Sequence, residues 1–378
     1  MNKKLLLCTA VISLSSVCVS YAAQAPSVVV NGTKLNAEAK IIDDRIYLPI
    51  RAVGEALSAD VSWDGQTGTA NVTTAQAEAG TNEIESIVSR AAGSVVGIVV
   101  TTDEGNKLTG LYHGSGFFVS NSGEIVTNAH VVADALKILV ITADGNNFDA
   151  QIIGSDEKAD IALLKIEKEN TPYLTLASAE EIRVGQTAVS IGTPLSVSYR
   201  GTAANGIISG KDRMFGDFYY RVLQTNAAAN GGNSGGPLVL AGGKVAGMVT
   251  MGYTNAQGMN FCISSDTIQY ALDQFRAYGE IRRPALGITT QDSYLGAFDL
   301  PHNDGVTVLG VSESLDGKNI QRNDSLLAIN GQKVTYGIDI HELLKQYLPG
   351  DSVTLTLRRD GTEFTVSLVL AEDESGRD

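Results

Sequence analysis

The chemistry of this chain gathers around one serine. Gly232–Asn233–Ser234–Gly235–Gly236–Pro237 sets a hydroxyl between glycines, at the end of a stretch that begins at Thr225. A serine becomes a useful nucleophile when a base takes its proton and a carbonyl can approach closely. Backbone N–H groups must then face the oxyanion that forms. Glycines on both sides allow the approach and the tight turn. The loop alone says little, because the chain holds 40 glycines. Two upstream segments change its meaning. Ile125–Val126–Thr127–Asn128–Ala129–His130 is an apolar, strand-like run that delivers a histidine, one of four in the chain. Asp160 stands directly before Ile161–Ala162–Leu163–Leu164–Lys165–Ile166, which reads as a buried strand.

Each of these residues has an ordinary structural role: a histidine closing a strand, an aspartate capping a turn, a glycine turn. Together they run His130, Asp160, Ser234. That is the chymotrypsin-type chain order, distinct from the subtilisin and α/β-hydrolase orders. In such a constellation Ser234 attacks a carbonyl, and His130 takes its proton and returns it to the leaving amine. Asp160 holds the imidazole tautomer.

Residues 83–280 resemble the trypsin-like protease domain of the HtrA/Deg family. The matching pieces are Gly114–Ser115–Gly116–Phe117, Thr127–Asn128–Ala129–His130–Val131–Val132, Asp160–Ile161–Ala162–Leu163–Leu164, Gly192–Thr193–Pro194, Ile207–Ile208–Ser209–Gly210 and Gly232 to Pro237. The resemblance implies a mainly β fold, a chymotrypsin-like double β-barrel with the site between the barrels. It implies backbone N–H groups of Gly232 and Ser234 as oxyanion donors. It places Ala229 at the base of an S1 pocket, with Met248, Val249 and Thr250 along one wall. No metal or organic cofactor is implied. The sequence departs from the family at Asn226, where Asp is usual, and at Ala229, where a branched aliphatic is usual. Asn233 is neutral, so it cannot pair with a new N-terminus as the aspartate of zymogen-type relatives does. Activation is therefore expected from loop rearrangement, with residues 209–219 and 251–258 as the moving segments.

Other modules flank this domain. Residues 281–371 resemble an α+β PDZ domain. Pro284–Ala285–Leu286–Gly287–Ile288 stands where a PDZ carboxylate-binding loop stands, and Asn319 to Gly331 matches the following segment, with Asn323 in place of a usual glycine. Leu286, Gly287 and Ile288 are then the peptide-binding residues. Residues 339–346 form the groove helix, and Ser352–Arg358 with Glu363–Leu370 form a hairpin around Asp360–Gly361. PDZ grooves take a C-terminal peptide as an added strand. Residues 26–72 resemble the copper amine oxidase N-terminal-like (stalk) domain, a small α+β module. Residues 24–80 contain no His, Cys or Met, so the preferred copper ligands are missing, and the expectation is a spacer or a cell-wall-binding element. Residues 73–82 read as a linker, residues 372–378 as an acidic tail, and Arg282–Arg283 as a solvated linker.

Lys3 and Lys4 precede an apolar run to Val19 and small residues up to Ala25, a signal peptide over 1–25. An uncleaved anchor is the alternative. Cys8 and Cys18 leave with the signal and Cys262 stands alone, which suits a bacterial cell envelope and excludes an intrachain disulfide. A net charge of −14 argues against nucleic acid as a partner. The expected activity is an exported serine endopeptidase acting on unfolded or damaged envelope proteins. A silent chaperone or a wall-attached scaffold is the alternative. Family relatives form homotrimers, often through aromatic residues at the start of the protease domain, yet no aromatic lies between Trp63 and Tyr112.

Overall fold

The computed structural model describes residues 27–74, 83–102, 111–252 and 256–373, except positions 31, 32, 36, 38, 44, 58, 217 and 299. The expected signal peptide, most of the expected linker and residues 374–378 of the expected acidic tail lie outside the described residues. The chain divides into two compact units, 1–82 and 83–378.

In the first unit, a hairpin of Lys40–Ile42 with Arg45–Tyr47 leads into a helix, Ile50–Ala56. A second hairpin pairs Ala59–Asp64 with Thr69–Thr74. Asp64 builds its turn, accepting the N–H groups of Gln66 and Thr67. Gly54 lets the helix lie on this hairpin, since a Cβ there would run into Val61.

The second unit begins with α1 (Glu83–Ala91), which buries Ile87 and Ala91. A first closed barrel follows, built from β1 (Val95–Thr101), β2 (Leu111–Phe118), β3 (Glu124–Thr127), β4 (Lys137–Ile141), β5 (Asn147–Asp156) and β6 (Ile161–Ile166). A one-turn helix, α2 (Ala129–Val132), leaves the end of β3. A second closed barrel contains β7 (Thr187–Gly192), β8 (Thr202–Arg213), β9 (Val222–Thr225), β10 (Pro237–Leu240), β11 (Val245–Gly252) and β12 (Asn260–Ser264). In spatial order the barrels run β4-β5-β6-β3-β2-β1 and β7-β8-β9-β12-β11-β10. Closure leaves neither barrel an open sheet edge. The expectation that 209–219 is a loop is partly overturned, because β8 continues paired with β9 as far as Arg213.

Each barrel has an interior core, around Ile98, Phe118 and Leu164 in the first and Ile208, Leu223 and Cys262 in the second. A third, shared core joins them, with Ile87 of α1, Phe117 and Leu163, Val189 and Met248, and Phe275 of α3 (Ser265–Tyr278). The two barrels therefore hold a fixed relation, which a site between them requires.

The PDZ-like part is a sheet of β13 (Ile288–Asp292), β14 (Val306–Val311), β15 (Ser325–Ile329), β16 (Ser352–Arg359) and β17 (Thr362–Val369), with α4 (Gly337–Leu344) against it. Asn323 holds φ at +73°, so it keeps the left-handed turn expected of a glycine. Asparagine tolerates that region better than most residues.

Arg283 is not in a solvated linker. Its guanidinium donates two 2.5 Å hydrogen bonds to Asp156 at the end of β5, and the Arg283 and Asp156 side chains are only 8% and 12% exposed. It also lies over the Tyr219 ring at 5.1 Å. The sequence could not show that the linker arginine would meet a carboxylate 127 positions earlier. Around this pair, α4 meets the protease. The His341 ring packs on that of Tyr219, tilted by 33° with centroids 3.7 Å apart, and Glu342 accepts the Arg221 N–H at 2.6 Å. Arg221 also donates to Asp339 at 2.5 Å. Burial pushes the His341 imidazole down to about 4; Arg283 and Lys158 lower it further, while Asp373 opposes them.

Candidate active site

Asp160 occupies the turn before β6 with φ at +53°, a conformation uncommon for a residue with a side chain. From there its carboxylate reaches α2. His130 Nδ1 lies 2.9 Å from Oδ1 and 3.0 Å from Oδ2 of Asp160. The backbone N–H of His130 donates to the same carboxylate at 3.1 Å. The carboxylate has two more donors. Asn128 Nδ2 gives 3.0 Å bonds to both the Asp160 carbonyl and Oδ2, and Thr250 Oγ1 donates to Oδ2 at 2.7 Å. The imidazole is thus held by one ring nitrogen, leaving Nε2 available to act. His130 stands on a short helix rather than on the strand end itself.

Ser234 comes from the second barrel, in the loop before β10. Its hydroxyl donates to the Thr250 carbonyl at 3.2 Å. Thr250 therefore touches both Asp160 and Ser234, which brings the three sequence-predicted residues to one place. A serine-to-histidine hydrogen bond is not part of this rotamer. Catalytic hydrogen bonds in unliganded enzymes are often long and tighten on substrate binding.

The backbone around Ser234 is closely controlled. Gly232 has φ at +99° and Gly235 at +86°. A Cβ on Gly232 would strike the Thr193 carbonyl, and one on Gly235 the Ser115 carbonyl. The peptide plane carrying the Gly232 N–H is tied by its own carbonyl, since Gly231 O accepts Leu195 N–H at 2.8 Å. The plane carrying the Ser234 N–H is tied likewise, since Asn233 O accepts Gly236 N–H at 2.9 Å. In a trans peptide the N–H points opposite to the C=O, so both N–H groups are turned away from these internal bonds. Asn233 is 5% exposed, and its amide donates to the Ala228 carbonyl at 3.3 Å, a neutral tie inside its own loop.

The expected S1 wall needs correction. Successive strand side chains face opposite ways. On β11, Met248 goes into the core shared by the barrels and Val249 into the second barrel's interior, and neither is a lining side chain. Thr250 is committed to Asp160. The residue beside Ala229 is Gly252, where a Cβ would sit 3.6 Å from that of Ala229. In the PDZ-like part, Leu286 is 4% exposed and belongs to the domain core, so its side chain does not frame an open pocket. Gly287 has φ at +69° and its carbonyl accepts Ser312 N–H at 2.8 Å, while Ile288 is half-buried at the start of β13.

Sequence reasoning missed Thr250 as a support of Asp160, and missed Ser115 and Asn128 as individual actors. The Gly114–Ser115–Gly116 and Thr127–Asn128–Ala129–His130 motifs held the signal, without the partners.

Comparison with known proteins identifies the domains that carry these residues. Residues 114–248 match the trypsin-like peptidase domain, residues 284–370 the PDZ domain, and residues 11–109 the copper amine oxidase N-terminal domain. The chain is 34% identical over 275 residues to a probable periplasmic serine endoprotease DegP-like of Hahella chejuensis, covering 70% of this chain and 58% of that one. The corresponding protein of Chlamydia muridarum is 35% identical over 278 residues, covering 69% and 55%. The chain belongs to the HtrA/Deg family.

Solved structures of the family agree. The HtrA-type protease AlgW with tripeptide superimposes with a TM-score of 0.67 at 29% identity, covering 78% of this chain and 98% of that one. A serine endoprotease from Yersinia pestis gives 0.62 at 28% identity, covering 77% and 98%. The chain spans under three fifths of the length of the first curated relatives it matches. Unlike what its family name suggests, the N-terminal module does not fit copper, since residues 24–80 have no His, Cys or Met to ligate it.

Proposed function

We propose that this protein is an exported serine endopeptidase of the cell envelope, with His130, Asp160 and Ser234 as its catalytic triad and unfolded or damaged proteins as its substrates. The observation that carries this reading is the meeting of three separate chain segments at the barrel junction: Asp160 on His130 at 2.9 Å, and Thr250 joined to both Asp160 and Ser234. Rotation of the Ser234 hydroxyl off the Thr250 carbonyl directs its proton to His130. As the proton leaves, the Oγ–carbon bond forms and the carbonyl electron pair moves onto oxygen. The Gly232 and Ser234 N–H groups receive that charge, each such donor being worth about 3–4 kcal/mol. Collapse returns the proton from His130 to the departing amine, and water repeats the cycle on the acyl ester.

Export is supported by the curated relatives' description as periplasmic and by the Lys3–Val19 pattern. The PDZ-like domain is read as the binder of substrate or regulatory C-termini. The contact of α4 with Tyr219 and Arg221 offers a path by which peptide in the groove alters the second barrel.

The deciding experiment uses the full chain. A fluorophosphonate probe should label Ser234, and casein should be cleaved. Ser234→Ala should abolish both, with a kcat loss of roughly 10⁴–10⁶-fold. Cleavage by the folded mutant at the wild-type rate would end the enzyme assignment.

A further inference from the structure

We propose that Ser115 is a positioning residue, whose hydroxyl reaches across from the first barrel to align the two oxyanion donors of the second. The inference rests on the reading of Gly232 and Ser234 as those donors. Ser115 is fully buried, on β2. Its Oγ donates to the Gly232 carbonyl at 2.7 Å and accepts the Thr193 N–H at 2.8 Å. Its backbone N–H donates to the Ser234 carbonyl at 2.8 Å, and its carbonyl accepts Thr127 Oγ1 at 2.7 Å. One residue thus bonds to both donor residues and, through Thr193, to the chain leaving β7.

The peptide plane between Gly232 and Asn233 is the decisive one. It separates the two planes that carry the donor N–H groups. One end is fixed by Asn233 N–H donating to Asn230 O at 2.9 Å, inside the loop itself. The other end is fixed by the Ser115 hydroxyl alone among the described residues. Glycine turns about its backbone bonds with little steric resistance, so Gly232 has no Cβ to supply the same restraint. Without the hydroxyl, Gly232 O and Thr193 N–H become unpaired in a dry region. Turning the plane is the easiest relief, and it misaligns the N–H of Gly232 relative to that of Ser234. The fit is close: a Cβ on Gly192 would lie 3.0 Å from Ser115 Oγ. The closed network also tells Ser115 apart from a residue that merely fills space, because its hydroxyl uses both a donor and an acceptor function on named backbone groups.

The test compares Ser115→Ala with wild type in the full chain, using a short chromogenic peptide and fluorophosphonate labelling of Ser234. A lost alignment acts on the transition state more than on the bound substrate. We expect kcat to fall about 10- to 100-fold with KM within about threefold, and the labelling rate to fall by a similar factor. A kcat within threefold of wild type, or a change confined to KM, overturns the proposal. If Ser115→Ala does not fold, Ser115→Cys keeps a side-chain donor but a weak one. It should then lose about tenfold in kcat, and full activity of that variant also overturns the proposal. Failure of the underlying site reading looks different, because wild type itself would then go unlabelled at Ser234.

Discussion

Removing Asp156 should release the PDZ-like domain from the protease. The Arg283 side chain is 8% exposed and that of Asp156 12%. Both guanidinium hydrogen bonds go to this one carboxylate, and Arg283 Nε has no hydrogen-bond partner among the described residues. Asp156→Ala therefore strands a buried cation. Breaking a buried pair from one side costs about 3–5 kcal/mol, because the remaining charge stays desolvated. Undocking lets Arg283 regain water, so the observed loss is capped by the docking free energy. Other ties remain, among them Glu342 on the Arg221 N–H and Lys345 on Asp266 and Thr267. Lys158–Asp373 and Arg221–Asp339 also stay, with 28% and 21% of their basic side chains exposed, and contact with water screens each of them more than the Arg283–Asp156 pair. The assay is urea unfolding with parallel small-angle scattering. Asp156→Ala should lower the stability of the docked state by at least about 2 kcal/mol and enlarge the radius of gyration. Asp149→Ala, which breaks the exposed pair with Lys137, should change stability by less than about 0.5 kcal/mol. A double variant, Asp156→Ala with Arg283→Met, should recover much of the loss, since an apolar side chain needs no counter-charge. If Asp156→Ala alone stays within about 0.5 kcal/mol of wild type and remains compact, the ion pair does not hold the domains.

Docking should also depend on pH. The His341 imidazole is lowered to about 4 by burial, whereas an undocked imidazole titrates at its ordinary 6.5. The undocked state then binds more protons between those values, so docking is fully present above about 6.5. It weakens as pH falls toward 4, by up to about 1.4 kcal/mol per pH unit. His341→Phe should flatten that slope in scattering measurements across the window, and a slope that survives the substitution assigns it to another group. Ala229→Ile should shift preference toward smaller P1 side chains, each methylene being worth about 0.8 kcal/mol; an unchanged peptide-library profile would remove Ala229 from the pocket. A peptide with a free apolar C-terminus should bind the Ser234→Ala chain through the backbone of Leu286, Gly287 and Ile288. Its amide should bind at least tenfold more weakly, and equal affinities would count against carboxylate capture.

Local rules reached most of the architecture. Alternating apolar runs bounded by glycine turns gave the strands, and Asp360–Gly361 marked the hairpin that joins β16 and β17. The order His130, Asp160, Ser234 pointed to a site because each residue lies in a short motif whose chemistry is local. What the sequence could not contain was any partner set by closure of the barrels. Thr250 looks like one more residue of an apolar strand until β11 passes beside Asp160, 90 positions earlier. Met248 and Val249 looked like a pocket wall until the two faces of β11 were both buried. Arg283 looked solvated because its partner is not a neighbour in the chain; the Asp156 carboxylate arrives only when β5 and the linker meet. Hydrophobic periodicity is written residue by residue and can be read directly. Desolvation, and the pairing it forces on Arg283, Asp160 and Ser115, depends on which distant segments exclude water, and only the folded chain decides that.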